Sequence, residues 1–241
     1  MPKTVNEQLQ SDLLQAGIAL SEDIIEKLVR FIERLLEVNQ YINLTAITDV
    51  KEALYKHLYD ALLISTIEPF QRAERILDIG SGGGIPSIPL AIAFPGKQIY
   101  SLEATQKKVS FQETIKDELK IDNFHPIWNR AEILAHDTEH RERYDVVTAR
   151  AVAAANILTE LTIPFLKMDG YAIFYKGKEA ATELDGAAGA LTKMRAVPVA
   201  IYDYQLPYQY GERHLIVIRK NAVTPREYPR KPGVPQKKPL V

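Results

Sequence analysis

A glycine-rich turn between a strand and a helix is the feature that most constrains the fold. The run DIGSGGGIP, residues 78–86, follows a short apolar strand and leads into a helix, with Pro86 suited to the first helical position. A strand, a glycine turn and a helix N-terminus form binding sites for nucleotide-type ligands in α/β proteins. Gly80 and Gly82 lack the side chains that would hold a ligand away from the backbone, and they tolerate a positive φ. We therefore predict a ligand site at Asp78, Gly80 and Gly82.

An acidic residue follows at the distance expected for a ribose ligand. Glu103 lies about 20 residues beyond the glycines, at the end of the apolar strand QIYSL, residues 98–102. A carboxylate at that position can accept hydrogen bonds from both hydroxyls of a ribose. We therefore expect Glu103 to bind the same ligand as the glycine turn.

Strands alternate with helices from about residue 72, which predicts a doubly wound, mostly parallel α/β sheet. The last two strands have no helix between them and should pair antiparallel. A seven-stranded sheet that ends in such a hairpin is the Rossmann-like pattern of class I S-adenosylmethionine methyltransferases rather than of dehydrogenases. The predicted strands are 75–80, 98–103, 124–129, 144–149, 171–176, 197–205 and 213–219, and the predicted helices are 86–94, 105–119, 156–166 and 179–194.

The residues before this sheet are predicted to form a helical cap without strands. Ser21 is a suitable N-cap residue, and apolar residues then recur with a helical period to about Asn39. A second amphipathic helix fits residues 51–67. The predicted organisation is a helical N-terminal cap over 1–70, a methyltransferase domain over 71–220 and a proline-rich basic tail over 221–241.

The tail concentrates the positive charge of the chain. The net charge is −1, but residues 219–241 contain seven cations and one anion, a local charge of +6 that leaves −7 for the rest. Its prolines predict an extended, semi-rigid segment that is neither helix nor central strand. Such charge asymmetry suggests a polyanionic partner bound by the tail, and the alternative is a solvated arm.

The glycine run departs from the dinucleotide-binding fingerprint at one position. That fingerprint needs a third glycine or an alanine where this chain has Ile85. A methionine-derived cofactor carries no pyrophosphate and needs only a broad glycine loop around its amino-acid moiety. The motif alone therefore favours a methyl donor, with a nicotinamide or flavin nucleotide and a plain tight turn as the alternatives.

Two later signals follow strands that end at the same edge of the sheet. Arg130-Ala131-Glu132 follows the third strand, where a backbone amide and a carboxylate can meet an adenine, and the fourth strand delivers Arg150 to the region of the methyl group. The alternative is that these charges form surface ion pairs. The segment HDTEH, residues 136–140, matches an inverted zinc-protease signature, but its charged flanks indicate a connector, and we predict no metal site.

The ordered set of motifs resembles the bacterial small-subunit ribosomal RNA guanine-N7 methyltransferase family, long labelled glucose-inhibited division protein B. The resemblance runs from about residue 20 to the C-terminus. The motifs that carry it are Asn43-Leu44-Thr45, His57-x-x-Asp60, residues 77–86, Lys107-Lys108, Arg130-Ala131-Glu132, residues 149–153, Lys176-Gly177 and residues 228–233.

The resemblance implies S-adenosylmethionine as the cofactor. By matching motif, the family's cofactor contacts fall on Gly80, Ile85, Ala131, Glu132 and Arg150, with Glu103 as the expected ribose ligand. The chain departs from the family pattern at Ser87, where a glycine is usual after the Phe-Pro of the family, and at Ala61, where serine is common. The candidates for positioning the target base are Asn43, Asp60, Arg150 and Lys176.

The implied reaction needs no general base, because guanine N7 attacks through a neutral lone pair. N7 faces the deep, narrow groove of A-form RNA, so the target base must lie in a loop or be splayed out of its stack. The expected partner is 16S ribosomal RNA, the small subunit or an assembly intermediate, in the cytoplasm and without a membrane span. A nicotinamide-dependent oxidoreductase and a non-catalytic ribosome-assembly factor that keeps a cofactor pocket are the alternative functions.

Overall fold

A seven-stranded sheet forms the centre of the computed structural model, which describes residues 4–240. The strands match the predicted ones closely from β1 to β4. They are β1 (Arg75–Ile79), β2 (Gln98–Glu103), β3 (Phe124–Trp128), β4 (Tyr144–Arg150), β5 (Leu166–Lys176), β6 (Ala196–Leu206) and β7 (Gly211–Lys220).

The strand order is β3-β2-β1-β4-β5-β7-β6, and β7 runs antiparallel to both β5 and β6. The predicted doubly wound sheet and its antiparallel hairpin are confirmed. Strand β5 begins at Leu166 rather than at residue 171, because its pairing with β4 shifts register between Tyr144 and Val146. The residues at this irregularity are exposed, and Asp169 has a positive φ. Their sequence therefore resembles that of a turn.

Helices cover the sheet, and several differ from the predicted ones. The predicted helix 51–67 is divided, with a π-helical stretch at Leu54–Tyr59 and a 3-10 turn at Leu63–Thr66, and the predicted helix 179–194 is interrupted at Gly186. The α-helices are α1 (Val5–Gln15), α2 (Glu22–Asn39), α3 (Val50–Ala53), α4 (Asp60–Leu62), α5 (Glu68–Arg72), α6 (Ser87–Ala93), α7 (Gln106–Leu119), α8 (Ala131–Leu134), α9 (Ala155–Thr162), α10 (Ala180–Asp185), α11 (Ala188–Met194) and α12 (Val234–Lys237).

Alternate residues of each strand bury against opposite layers of helices. Ile76 of β1 belongs to an apolar cluster with α1, α2 and α6, whereas its neighbour Leu77 belongs to a second cluster with α9 and α11. Leu9 and Leu13 of α1 are fully buried in the first cluster. The N-terminal helices therefore share one core with the sheet.

The C-terminal tail corrects the prediction of an extended segment without helix. Residues 221–240, which we call the C-terminal strap, pack against α9 and against the segment from α8 to β4, and contain α12. Pro235 fits because the first turn of a helix leaves its N–H groups unpaired, so a residue without one loses no hydrogen bond. Pro229, Pro235 and Leu240 are buried, so the strap is part of the folded body.

Candidate functional site

A cavity of about 360 Å³ lies at the carboxyl ends of the central strands, the edge at which open α/β sheets bind ligands. Its volume is in the range of small-molecule and cofactor sites. Gly80 at the end of β1 and Glu103 at the end of β2 line it, together with Ala131 and Glu132 after β3. The sequence predicted all four as cofactor-binding residues, and the structure brings them to one pocket.

Gly80 is required by close packing as well as by its backbone conformation. Its φ is +70°, and a Cβ built on it would lie 2.6 Å from Cγ2 of Val152. Gly82 has φ +57°, and no atom lies within 4 Å of its Cβ position. Gly82 does not line the cavity, but its N–H donates to Oε2 of Glu103 at 3.0 Å, which links the glycine turn to the pocket wall.

Both carboxylate oxygens of Glu103 are fixed by the backbone. Oε2 accepts from the N–H of Gly82, and Oε1 accepts from the N–H of Thr105 at 2.8 Å. A carboxylate has about four lone-pair sites, so two remain for a ligand. Glu103 is therefore held in place with spare acceptor capacity at the pocket surface, as a ribose requires.

Two buried polar residues, Gln112 and Ser101, hold the glycine turn, and neither was predicted from the sequence. Gln112 of α7 donates to Oγ of Ser81 at 2.9 Å and to the carbonyl oxygen of Gly82 at 2.8 Å. The hydroxyl of Ser101 bonds to Ser81 and donates to Gln112. The signal in the sequence is Gln112 itself, a polar residue on the apolar face of an otherwise amphipathic helix.

Glu132 connects the pocket to the C-terminal strap. Its Oε1 accepts from the N–H of Gly233 at 2.9 Å and from Arg130 at 3.3 Å. Burial acts to raise the pKa of Glu132, but these hydrogen bonds outweigh it and hold the pKa below its usual value. Gly233 also lines the cavity.

Asp78 is buried beneath the pocket. Its Oδ1 accepts from the Thr148 hydroxyl at 2.9 Å, while its Oδ2 has no hydrogen-bond partner within residues 4–240. Burial raises the pKa of Asp78 to about 7, against the lowering effect of the Thr148 hydrogen bond.

Ile85, predicted as a cofactor contact, does not line the cavity. It is half-buried and packs against the cluster that contains α1 and α2.

Arg150 points towards the N-terminal helices. Its guanidinium donates to the carbonyl oxygen of Lys56 at 2.9 Å and to Nδ1 of His57 at 3.0 Å, and it lies 3.1 Å from Oδ2 of Asp60. Because a guanidinium only donates, His57 must present a bare Nδ1 and donate from Nε2 to Thr45. Burial, followed by the charge of Arg150, lowers the pKa of His57 to about 3.

A second cavity of about 360 Å³ adjoins the first at Ala151, which lines both. Asp60, Arg150 and Lys176 line this second cavity, so three of the four predicted positioning residues come together there. Lys176 forms an ion pair with Glu183 at 2.6 Å. The fourth, Asn43, is exposed on the loop between α2 and α3.

The HDTEH segment has protein partners rather than a set of converging ligands. Nε2 of His136 bonds to the carbonyl oxygen of Pro229, and Nδ1 of His140 bonds to the Tyr144 hydroxyl. Within the described part of the chain, no group of three or more His, Asp or Glu side chains is arranged to hold a metal ion. No helix of that part is long and apolar enough to cross a membrane.

Solved structures with the same fold include methyltransferases. An O-methyltransferase from Bacillus cereus in complex with SAH aligns with a TM-score of 0.58 and 16% identity, over 89% of this chain and 97% of that one. The fibrillarin pre-rRNA processing protein of Methanococcus jannaschii aligns with a TM-score of 0.51 and 18% identity, over 68% and 74%. These alignments support the class I methyltransferase fold.

Sequence relatives are much closer. Proteins named ribosomal RNA small subunit methyltransferase G are 37% identical in Bacillus licheniformis, over 97% of this chain and 98% of the relative, and 38% identical in Halalkalibacterium halodurans, over the same shares. The model of the rRNA small subunit methyltransferase G family, also called GidB, matches residues 24–216. The chain therefore belongs to the rRNA small subunit methyltransferase G family.

Proposed function

We propose that this protein transfers a methyl group from S-adenosylmethionine to N7 of a guanine in small-subunit ribosomal RNA. Family membership over nearly the whole chain supports the reaction class. The observation that carries the cofactor assignment is Glu103, whose carboxylate is held by two backbone N–H groups on the wall of a pocket of about 360 Å³.

The pocket fits the chemical parts of this cofactor. Leu102, Ala131, Ile157 and Leu161 supply an apolar surface for an adenine, and Glu103 has acceptor sites left for ribose hydroxyls. The unpaired Oδ2 of Asp78 lies at the base of the glycine turn, where a cationic ligand would relieve the cost of burying a carboxylate. When bound, S-adenosylmethionine supplies an electrophilic methyl group on a sulfonium sulfur.

The second cavity is suited to hold the target base. It adjoins the cofactor pocket at Ala151, and two of its three cations are paired with carboxylates, Arg150 with Asp60 and Lys176 with Glu183. The third, Arg213, donates to the carbonyl oxygen of Glu212. This pairing matters because the purine gains positive charge as N7 is methylated, and an uncompensated cation beside it would be unfavourable.

No residue of this cavity has to remove a proton. N7 attacks through a neutral lone pair, so the protein contributes alignment of the two reactants and exclusion of water. His57, with its pKa lowered to about 3, stays neutral at physiological pH and adds no charge next to Arg150. Its role is to position Arg150.

The expected partner is 16S ribosomal RNA, within the small subunit or an assembly intermediate, and the expected location is the cytoplasm. Four cations of the C-terminal strap are exposed and available for RNA phosphates: Arg226, Lys231, Lys237 and Lys238. The target guanine must be unstacked before it can enter a cavity of the protein.

The test is methylation of ribosomal RNA from a strain that lacks this enzyme. Naked 16S RNA and intact small subunits are incubated with labelled S-adenosylmethionine, and N7-methylguanine is mapped by borohydride–aniline cleavage. We expect one new cleavage site. Binding of the donor without any methylation of either substrate would favour a non-catalytic assembly factor. Retention of nicotinamide dinucleotides instead of S-adenosylhomocysteine would favour an oxidoreductase.

A further inference from the structure

The C-terminal strap supplies part of the wall of the cofactor pocket. Gly233, Pro235 and Gln236 line the same cavity as Gly80 and Glu103. These strap residues come from the start of α12 and the residue before it. The cavity is therefore built from two separate parts of the chain, the carboxyl ends of the central strands and the strap.

A buried ion pair attaches the strap to another wall of the pocket. Glu160 is 0% exposed and accepts from Nε of Arg230 at 2.9 Å and from its terminal nitrogen at 2.6 Å. The N–H of Arg230 also donates to Glu160, at 2.8 Å. Glu160 belongs to α9, whose Ile157 and Leu161 line the cavity. The pair thus fixes the strap to the helix that forms the apolar side of the pocket.

Further hydrogen bonds fix the path of the strap backbone. Arg141 donates to the carbonyl oxygens of Thr224, Pro225 and Tyr228, and His136 bonds to that of Pro229. Such bonds hold the main chain whatever its side chains are. The docked strap in turn presents the Gly233 N–H to Glu132.

We propose that the C-terminal strap is a functional wall of the S-adenosylmethionine pocket, so that cofactor affinity depends on docking of the strap; this rests on the proposed function. An undocked strap removes one side of the cavity and takes the Gly233 N–H from Glu132. The apparent dissociation constant then rises in inverse proportion to the fraction of molecules with a docked strap.

The test compares two arginines of the strap that differ in their contacts. Arg230→Ala removes the ion pair with Glu160, whereas Arg226→Ala removes the same charge from an exposed position of the same segment. Binding of S-adenosylhomocysteine is measured by calorimetry on the full-length proteins. We expect Arg230→Ala to weaken binding at least tenfold and Arg226→Ala to leave it within twofold of wild type.

Hydrogen exchange provides a measurement that does not depend on a mutant folding. Ligand contact with the strap should slow exchange of the Gly233, Gln236 and Lys237 amides in the wild-type protein when S-adenosylhomocysteine is added. Unchanged exchange there, or equal affinity of a folded Arg230→Ala and wild type, would overturn the inference. A wild-type protein that does not bind S-adenosylhomocysteine would instead contradict the proposed function, so the two failures are distinguishable.

Discussion

Among single residues, Gly82 and Gly17 form a matched pair for testing the glycine turn. Both have a positive φ, +57° and +82°, and neither has an atom within 4 Å of its Cβ position. Valine at either site strains the backbone by a similar amount. We expect Gly82→Val to abolish S-adenosylhomocysteine binding, because strain at this residue displaces the N–H that holds Glu103, and Gly17→Val to leave it unchanged. Calorimetry on the two folded variants compares their affinities for S-adenosylhomocysteine. Equal affinities would contradict the assignment of Gly82 to the cofactor site.

Glu103 is expected to bind the ribose of the cofactor. Glu103→Ala should weaken the binding of S-adenosylhomocysteine by about 1.5–3 kcal/mol, the range for hydrogen bonds to a charged group. The substitution also leaves the Gly82 and Thr105 N–H groups without their acceptor, so the ribose contribution needs its own measurement. An analogue without ribose hydroxyls should be discriminated less by the mutant than by wild type. Equal discrimination would contradict the assignment.

Asp78 should make stability depend on pH. Because burial raises its folded pKa to about 7 from 3.8, the folded state binds its proton more tightly than the unfolded state. This group's contribution to stability is therefore present below pH 4 and is lost as the pH rises to 7, by up to about 4 kcal/mol. This decrease in the free energy of unfolding with rising pH should be absent in Asp78→Asn and retained in the exposed control Asp117→Asn. Urea unfolding between pH 4 and 8 measures it, and parallel curves for all three proteins would contradict the prediction.

At the scale of elements, the sheet could be predicted from the sequence, but contacts between residues far apart in the sequence could not. Strands β1 to β4 are short and have clear ends, so the carboxyl ends that carry Gly80, Glu103 and Ala131 could be placed at one edge. The orientation of Arg150 could not be predicted, because its partners Lys56 and Asp60 lie in a helix far away in sequence.

The folded path of the strap could not be predicted for a related reason. Its prolines and charges are typical of an extended arm. What folds it back is the pairing of Arg230 with Glu160 and the carbonyl contacts of Arg141, and neither has a local pattern in the sequence. Lys220, counted among the seven basic residues, is fully buried and bonds to Glu142, so it is not available to a phosphate.

The four exposed cations of the strap should bind RNA phosphates without affecting the cofactor. Replacing Arg226, Lys231, Lys237 and Lys238 together by glutamine leaves Arg230 and its ion pair in place. Each phosphate contact contributes roughly 0.7 to the slope of log affinity against log salt for single-stranded RNA. We expect the slope to fall by about 2 if three of the four meet phosphates, with unchanged S-adenosylhomocysteine affinity. An unaltered slope would move the RNA surface to the N-terminal helices.

For the whole molecule, the predicted boundary at residue 70 does not divide the apolar core. Leu13 of α1 is fully buried in a cluster that also contains Ile76 and Val146 of the sheet. Leu13→Ala should therefore lower the free energy of unfolding of the whole chain by about 2–5 kcal/mol in one cooperative transition. Leu14→Ala, at a position 61% exposed, is the control and should change little. Two separate unfolding transitions, with only the first shifted by Leu13→Ala, would show that the N-terminal helices fold independently.

Because the strap follows the sheet in the chain, the ligand pocket is completed after the sheet during synthesis. Chains are made from the N-terminus, so the strap is added after the sheet. All seven strands have been made by Lys220, before Arg230 and Gly233 are added. A nascent chain, or a product of premature termination after the last strand, would thus contain the full sheet but lack the Glu160 ion pair and the hydrogen bond to Glu132. The last wall of the pocket can therefore form only after the residues that follow the sheet have also been made.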